Sequence, residues 1–456
     1  MQVKTKYGEL KGVSQKGYTV FKGVPYAKPP VGELRWKRPQ ELDPWEGIKE
    51  CDHFEKITPQ YFPTPDTPWG GMYYKEFYSN PDFLPPTDED CLYLNIWTPA
   101  VTGDEKLPVA FWIHGGGFGG GYNSEIEFDG EEYCRRGVIL VSVEYRCGIF
   151  GFLAHPWLSA EDEKGISGNY GMYDQIAALD WVYENIAAFG GDPENITVFG
   201  QSAGCMSTQA LVSSPLTGNK IKKAILQSGV VSTQGFVAMP TLKEEEEYGK
   251  QVVENTGAKS LEELRAMDTE TLLAAKDKFD GEMMRQIFSG ERSGAEGTLF
   301  IVPNVDGYLL QKNVKEIYAE GSMKKIPYMA GCVTDDLART PEDRENGEPG
   351  ILMDSCINWC KRQEELGNPP AYCYYFNHEL PGEEGKKDVA FHSAELWYSF
   401  GTLGRCWRPM EDKDFEISRQ MVNAWANFMK TGDPNGEGVP EWKACTAGEP
   451  YVWEIE

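Results

Sequence analysis

Gly200-Gln201-Ser202-Ala203-Gly204 follows the short apolar run Ile196-Thr197-Val198 and precedes a stretch without Gly or Pro from Cys205 to Ser214. Strand, tight turn and helix are the expected order. A serine in such a turn stands at the C-terminal end of its strand, where a base can reach its hydroxyl and the helix N-terminus favours developing negative charge. The glycines two positions either side let the turn close. The pentad alone is a weak signal, so its surroundings must carry the reading.

His114-Gly115-Gly116-Gly117-Phe118 follows the apolar run Val109 to Ile113. Three consecutive glycines leave backbone N–H groups uncovered by side chains. Donors aimed at a carbonyl oxygen that becomes an oxyanion supply about 3–4 kcal/mol each. Gly116 and Gly117, with the N–H of Ala203, are the candidate oxyanion hole. A nucleophilic serine also needs a base held by an acid, and the chain has 5 histidines. His114 belongs to the glycine loop, His53 to an irregular N-terminal part, and His155 precedes Pro156. In the usual chain order of such sites the base comes last, which leaves His378, at the end of the strand-like run Ala371 to Phe376, and His392. The residues themselves favour His392 only modestly, and a surface histidine at a strand end is the plainer reading of His378.

These residues require a sheet to present them. Val109 to Ile113 and Val138 to Val143 are unbroken apolar runs, the pattern of parallel strands buried on both faces. Ile176, Leu179, Val182, Tyr183, Ile186 and Phe189 share one face of a helix expected from about Asp174 to Phe189, stopped by Gly190-Gly191-Asp192-Pro193. The first two dozen residues alternate around glycines like antiparallel edge hairpins. From Pro25 to Pro86 the chain is rich in Pro and aromatics; the stretch from Pro63 to Pro86 is too aromatic for a simple connector. The segment from about Thr241 to Gly297 is helical in pattern and is expected to form lid or side helices.

Composition narrows the function. A net charge of −27 disfavours nucleic acid and anionic membrane surfaces as partners. No run approaches a membrane span, and the N-terminus reads as strand and turn with no export signal. The 11 cysteines, odd in number and without paired spacing, fit buried thiols in a reducing, cytoplasmic setting. Cys356 and Cys360 stand one helical turn apart without a neighbouring His or further Cys, the pattern of core thiols and not of a metal site.

Across nearly its whole length the sequence resembles the type-B carboxylesterases of the α/β-hydrolase fold, the family of cholinesterases and bacterial p-nitrobenzyl esterases. The resemblance rests on FKGVPYAKPPVGELRWKRP, EDCLYLNIWTP, HGGGF, GNYGMYDQIAALDWVYENIAAFGGDPENITVFGQSAG, AILQSG, HSAELWYSFG and WANFMKTGDPNG, in that order. It implies one unit over 1–456, a mainly parallel sheet flanked by helices with an antiparallel N-terminal edge and helical lid insertions. It implies Ser202 as nucleophile, His392 as base, and Gly116, Gly117 and Ala203 as the oxyanion hole. The acid falls in Gly331 to Leu337 and points to Asp336, with Asp335 as the alternative. Glu395 reads as structural support for the base loop.

Two departures from the family stand out. Gln201 replaces the Glu that many relatives carry before the nucleophile, which weakens attraction for a cationic substrate. Thr58 stands where the partner of Cys91 in a family disulfide would be. The implied reaction is ester hydrolysis through an acyl-enzyme without cofactor or metal. Its expected substrates are small-molecule esters with short-to-medium or aromatic acyl groups, hydroxycinnamate (feruloyl) esters among them, bound by Phe118, Gln201, Trp397, Tyr398 and Phe400. Amide or carbamate hydrolysis by the same groups, or a non-catalytic binding role on the same fold, are the alternatives.

Overall fold

A computed structural model describes residues 1–66, 70–232, 239–289, 300–337 and 339–456. Its strands, in chain order, are β1 (Gln2–Lys4), β2 (Glu9–Gln15), β3 (Tyr18–Pro25), β4 (Ile48–Cys51), β5 (Tyr93–Thr98), β6 (Leu107–Ile113), β7 (Ile139–Val143), β8 (Gly191–Gln201), β9 (Ile221–Gln227), β10 (Tyr328–Val333), β11 (Ala371–Phe376), β12 (Leu380–Pro381), β13 (Lys387–Asp388) and β14 (Trp453–Ile455). Twelve of them form one sheet in the order β1-β2-β3-β5-β7-β6-β8-β9-β10-β11-β14, with β4 beside β2. The pairs from β1 to β7 along this path are antiparallel. Every pair from β7 to β14 is parallel.

The apolar runs read as doubly buried strands are so placed. Val109, Phe111 and Ile113 of β6 belong to one core with Leu179 and Val182 of the helix Tyr170–Asn185 and with Leu211 of the helix Ala203–Ser213. Ala110 and Trp112, the alternate residues, belong to a second core with Phe199, Ile225 and Trp425 of the helix Asp412–Thr431. The period of two in side-chain direction thus assigns each strand residue to one of two hydrophobic layers. The helix expected over 174–189 begins four residues earlier, at Tyr170, and ends in a 3₁₀ turn at Phe189, where Gly190 takes a left-handed φ of 82°.

The region expected to hold lid or side helices contains Leu242–Thr256, Leu261–Arg265 and Thr269–Ser289; 290–297 lie outside the described residues. Tyr248, Phe279 and Phe300 form an aromatic cluster between these elements. Gly249 sits so close to the Ala154 carbonyl that a Cβ would come within 1.7 Å of its oxygen. These helices are therefore packed onto the body of the molecule. Among the described residues, no helix is long and apolar enough to cross a membrane.

Candidate active site

Ser202 follows the last residue of β8 and caps the helix Ala203–Ser213, with φ 57° and ψ −122°. That conformation is costly for a residue with a Cβ, and it persists because the turn is pinned. The Ser202 N–H donates to the Gln227 carbonyl at 2.9 Å, and its own carbonyl accepts from Met206 N–H at 3.0 Å. The two flanking glycines are steric requirements. A Cβ on Gly200 would meet the Gly204 carbonyl at 2.4 Å, and one on Gly204 would meet the Ile113 carbonyl at 2.1 Å. Strand and helix approach too closely for any side chain.

The glycine loop follows β6 in the neighbouring register. Gly116 has φ 102°, and a Cβ there would lie 2.2 Å from the Gly120 carbonyl oxygen. A Cβ on Gly115 would stand 3.2 Å from that of Ser202. The loop is thus folded directly against the nucleophile candidate. His114 anchors it: its ring is fully buried, stacks on Tyr145 at 4.3 Å, and contacts the Gly115 carbonyl through Nδ1 at 2.9 Å. Burial lowers its pKa to about 4, so the imidazole is a neutral structural group near neutral pH.

Asp336 and His392 come from different loops that are stitched together. Asp335 N–H donates to the Ala390 carbonyl at 2.8 Å, a parallel bridge between Asp335 and Phe391. The next residue of each loop is then Asp336 and His392, whose Oδ1 and Nδ1 lie 2.5 Å apart. Asp336 also accepts from the N–H groups of Val333 and Leu337. Burial alone would raise its pKa; the adjacent imidazole, its hydrogen bond and those of Ser228 and Val333 outweigh burial and hold it below the usual carboxylate value. Asp335 points outward to Arg344 and Arg339. The other ring nitrogen of His392 faces the Gln201 amide at 3.2 Å.

His378 is not the surface histidine expected from its position. It is buried and bonded to Asp414 at 2.8 Å, which also accepts from Tyr398. Glu395, two residues after Ser393, is fully buried with neither carboxylate oxygen in a hydrogen bond of good geometry, and burial, with Asp336 nearby, raises its pKa to about 7.

A cavity of about 340 Å³ opens beside these groups, lined by Gly115, Gly116, Gln201 and Ser393. Of the five side chains expected to bind substrate, Gln201 alone lines it. Phe118 is turned into the core by a φ of 62° and packs on Phe152 at 5.3 Å. Trp397, Tyr398 and Phe400 are also core residues: the short helix Leu396–Ser399 packs against Asp412–Thr431 and turns them inward. Trp397 donates to Glu76, Tyr398 to Asp414, and Phe400 packs on Trp112 and Phe128. Leu396 faces the cavity instead.

The aromatic N-terminal segment does reach the site, apart from 67–69, which lie outside the described residues. Tyr73, Phe77 and Tyr78 line the cavity, and the Tyr73 hydroxyl donates to the His392 carbonyl at 2.8 Å. Glu76 fixes this segment by accepting from Trp397, Trp407 and Arg408. The sequence reading missed Glu76, Glu125 and Glu127; the last two sit in Glu125-Ile126-Glu127-Phe128, whose alternation resembles a half-exposed strand. Among the described residues, no group of three or more His, Cys, Asp and Glu side chains is placed to hold a metal ion.

A mostly parallel sheet with a serine on a strained strand-to-helix turn, a glycine loop against it and a His–Asp pair beside it defines a hydrolase of the α/β-hydrolase fold. The model of the carboxylesterase family matches residues 1–347 and 351–456, and the chain belongs to that family. It is 32% identical over 484 residues to the para-nitrobenzyl esterase of Bacillus subtilis (strain 168), covering 97% of this chain and 92% of the relative. Carboxylesterase 1E of Mus musculus is 32% identical over 515 residues, covering 98% and 87%. Among solved structures, a PNB esterase superposes with a TM-score of 0.81 at 30% identity, covering 100% of this chain and 95% of its own. An esterase from Clostridium hathewayi, described as able to hydrolyse aliphatic aromatic polyesters, gives 0.80 at 28% identity, covering 100% and 94%. The chain is a carboxylesterase.

Proposed function

We propose that Ser202, His392 and Asp336 act as a catalytic triad that cleaves carboxylic esters through an acyl-enzyme. The observation that carries this is the 2.5 Å contact between His392 Nδ1 and Asp336 Oδ1, held by the Asp335–Phe391 bridge. With Nδ1 committed to the carboxylate, Nε2, which faces the Gln201 amide at 3.2 Å, is the nitrogen left to act as base. It takes the Ser202 proton as Oγ attacks the ester carbonyl. The N–H groups of Gly116, Gly117 and Ala203 receive the oxyanion, which collapses as His392 returns the proton to the departing alcohol. Water then repeats the sequence on the acyl group, His392 taking its proton, while Asp336 keeps the imidazole tautomer and supports its cationic form.

The aromatic wall of Tyr73, Phe77 and Tyr78 favours acyl groups of medium length or aromatic character, hydroxycinnamates included. The structural relative described as able to hydrolyse aliphatic aromatic polyesters accepts aromatic-containing esters, which fits this reading. The 10 buried thiols and the half-buried Cys406 carry no disulfide, which supports a reducing, cytoplasmic setting. Hydrolysis of p-nitrophenyl acetate, p-nitrophenyl butyrate and methyl ferulate by the wild type and Ser202→Ala tests the reading. Turnover lost only in the variant supports it; near-wild-type turnover by a folded Ser202→Ala overturns it. The rate ratio between methyl ferulate and p-nitrophenyl acetate decides the aromatic preference.

A further inference from the structure

The cavity lined by Gln201 is also lined by two acidic residues, Glu125 and Glu127. Glu125 is 7% exposed and Glu127 1%. Their carboxyl groups are within hydrogen-bonding reach of each other. Glu125 Oε1 accepts from the Tyr78 hydroxyl at 2.9 Å and from Tyr122 N–H at 3.3 Å. Glu127 Oε2 has no hydrogen-bond partner. Among the described residues, neither carboxyl is in an ion pair. Arg405, which donates to the Ile126 carbonyl between them, is paired with Asp129.

A buried carboxyl without a counter-ion or a full set of donors is costly, and it survives in a stable fold when function retains it. Burial raises Glu125 to about 7 and Glu127 well above the usual range, so at neutral pH the pair holds a proton in place of a cation. A ligand cation would displace that proton to solvent and leave the net charge of the wall unchanged. A primary ammonium brings three N–H donors, suited to the unpartnered Glu127 oxygen, and the aromatic side chains of Tyr78 and Phe128 line the same cavity. A neutral hydroxyl supplies one donor and no charge.

We propose that Glu125 and Glu127 form a cation-binding subsite that selects esters bearing an ammonium group. This deepens the esterase reading and rests on it for the reaction, though not for the binding. It also relocates charge recognition: Gln201 removes a carboxylate beside the nucleophile, and the acid pair supplies one elsewhere on the same cavity.

The test compares kcat/KM for p-nitrophenyl 6-aminohexanoate and p-nitrophenyl heptanoate, near-isosteric esters that differ in a terminal ammonium against a methyl. The wild type should favour the ammonium ester, and Glu127→Gln should shrink the ratio of the two values at least about tenfold. Glu127→Asp, which keeps the charge, should restore part of it. A wild type without the preference, or a ratio unmoved by a folded Glu127→Gln, overturns the proposal. Hexylammonium binding by calorimetry, with hexanol as control, separates the two readings. If neither ester is hydrolysed the esterase mechanism fails, and hexylammonium binding that is lost in Glu127→Gln still upholds the subsite, whereas equal binding by both proteins refutes it.

Discussion

Asp336 Oδ1 and His392 Nδ1 stand 2.5 Å apart although the two residues are 56 positions apart in the chain. The contact is set by backbone: the Asp335–Phe391 bridge brings the two loops into parallel register one residue before each side chain. The short Asp336 side chain reaches the imidazole because its loop is tied to the histidine loop.

Asp336→Asn should therefore leave the fold in place and lower kcat by about 10³–10⁴-fold, since the amide favours the wrong imidazole tautomer. Asp335→Asn, which loses its surface pairs with Arg344 and Arg339, should change kcat less than about twofold. Turnover of p-nitrophenyl butyrate by the two variants checks this. The reverse ranking would move the acid to Asp335.

Gly116→Ala should lower kcat by about 10²–10³-fold with a smaller change in KM, because the added methyl must push the loop away from the Gly120 carbonyl and take its N–H groups off the oxyanion. Steady-state kinetics on the same ester reads the split. Unchanged kcat would remove this loop from the chemistry.

Phe400→Ala should cost about 3–5 kcal/mol of stability, as it empties a site packed by Trp112, Phe128 and Phe199. The ratio of acetate to butyrate hydrolysis should stay within about twofold, since the ring does not line the cavity. Urea unfolding and the rate ratio together test this; a changed ratio with unchanged stability would return Phe400 to the substrate pocket.

Stability should fall as pH rises from about 4.5 to about 8. Glu395 and Glu125 are raised to about 7, and Glu245 to about 8, all chiefly by burial. Each folded-state pKa exceeds the unfolded value, so the folded chain binds more protons. The contribution is complete below the unfolded pKa and is lost as pH rises through the folded one. Asp336, held low, and His114, lowered to about 4 by burial, act in the opposite sense: their contributions are present above their unfolded pKa values and fade as acid protonates them. Urea midpoints at about pH 5 and about pH 8 should narrow their difference in Glu395→Gln and in Glu245→Gln. A flat profile in the wild type would contradict the burial of these acids as neutral groups.

Much of this site was legible because its requirements are local. The Gly200–Gly204 pentad and the His114–Phe118 loop each follow an apolar run, and short-range sterics dictate where a serine and bare N–H groups stand. The choice between His378 and His392 was not local. It depends on which of two buried carboxylates, Asp414 or Asp336, each ring meets, and both partners arrive from distant segments. Trp397, Tyr398 and Phe400 misled because adjacency to His392 in sequence does not give direction; the short helix Leu396–Ser399 turns them inward. Glu125 and Glu127 were hidden because carboxylates on an alternating stretch normally face water, and only the tertiary cavity shows otherwise.

The order in which the sheet is built has a consequence for biosynthesis. β11 is covered on its outer side by β14, whose Trp453–Ile455 pair with Tyr374–Phe376. As translation proceeds, the edge of β11 stays open until Trp453 has left the ribosome, although Ser202, Asp336, His392 and both glycine turns have emerged before it. A nascent chain stalled in that interval would hold its chemistry next to an uncapped strand, where another chain can pair. Synthesis of Trp453–Ile455, more than the appearance of Ser202, His392 and Asp336, is then the event that covers the open edge of β11.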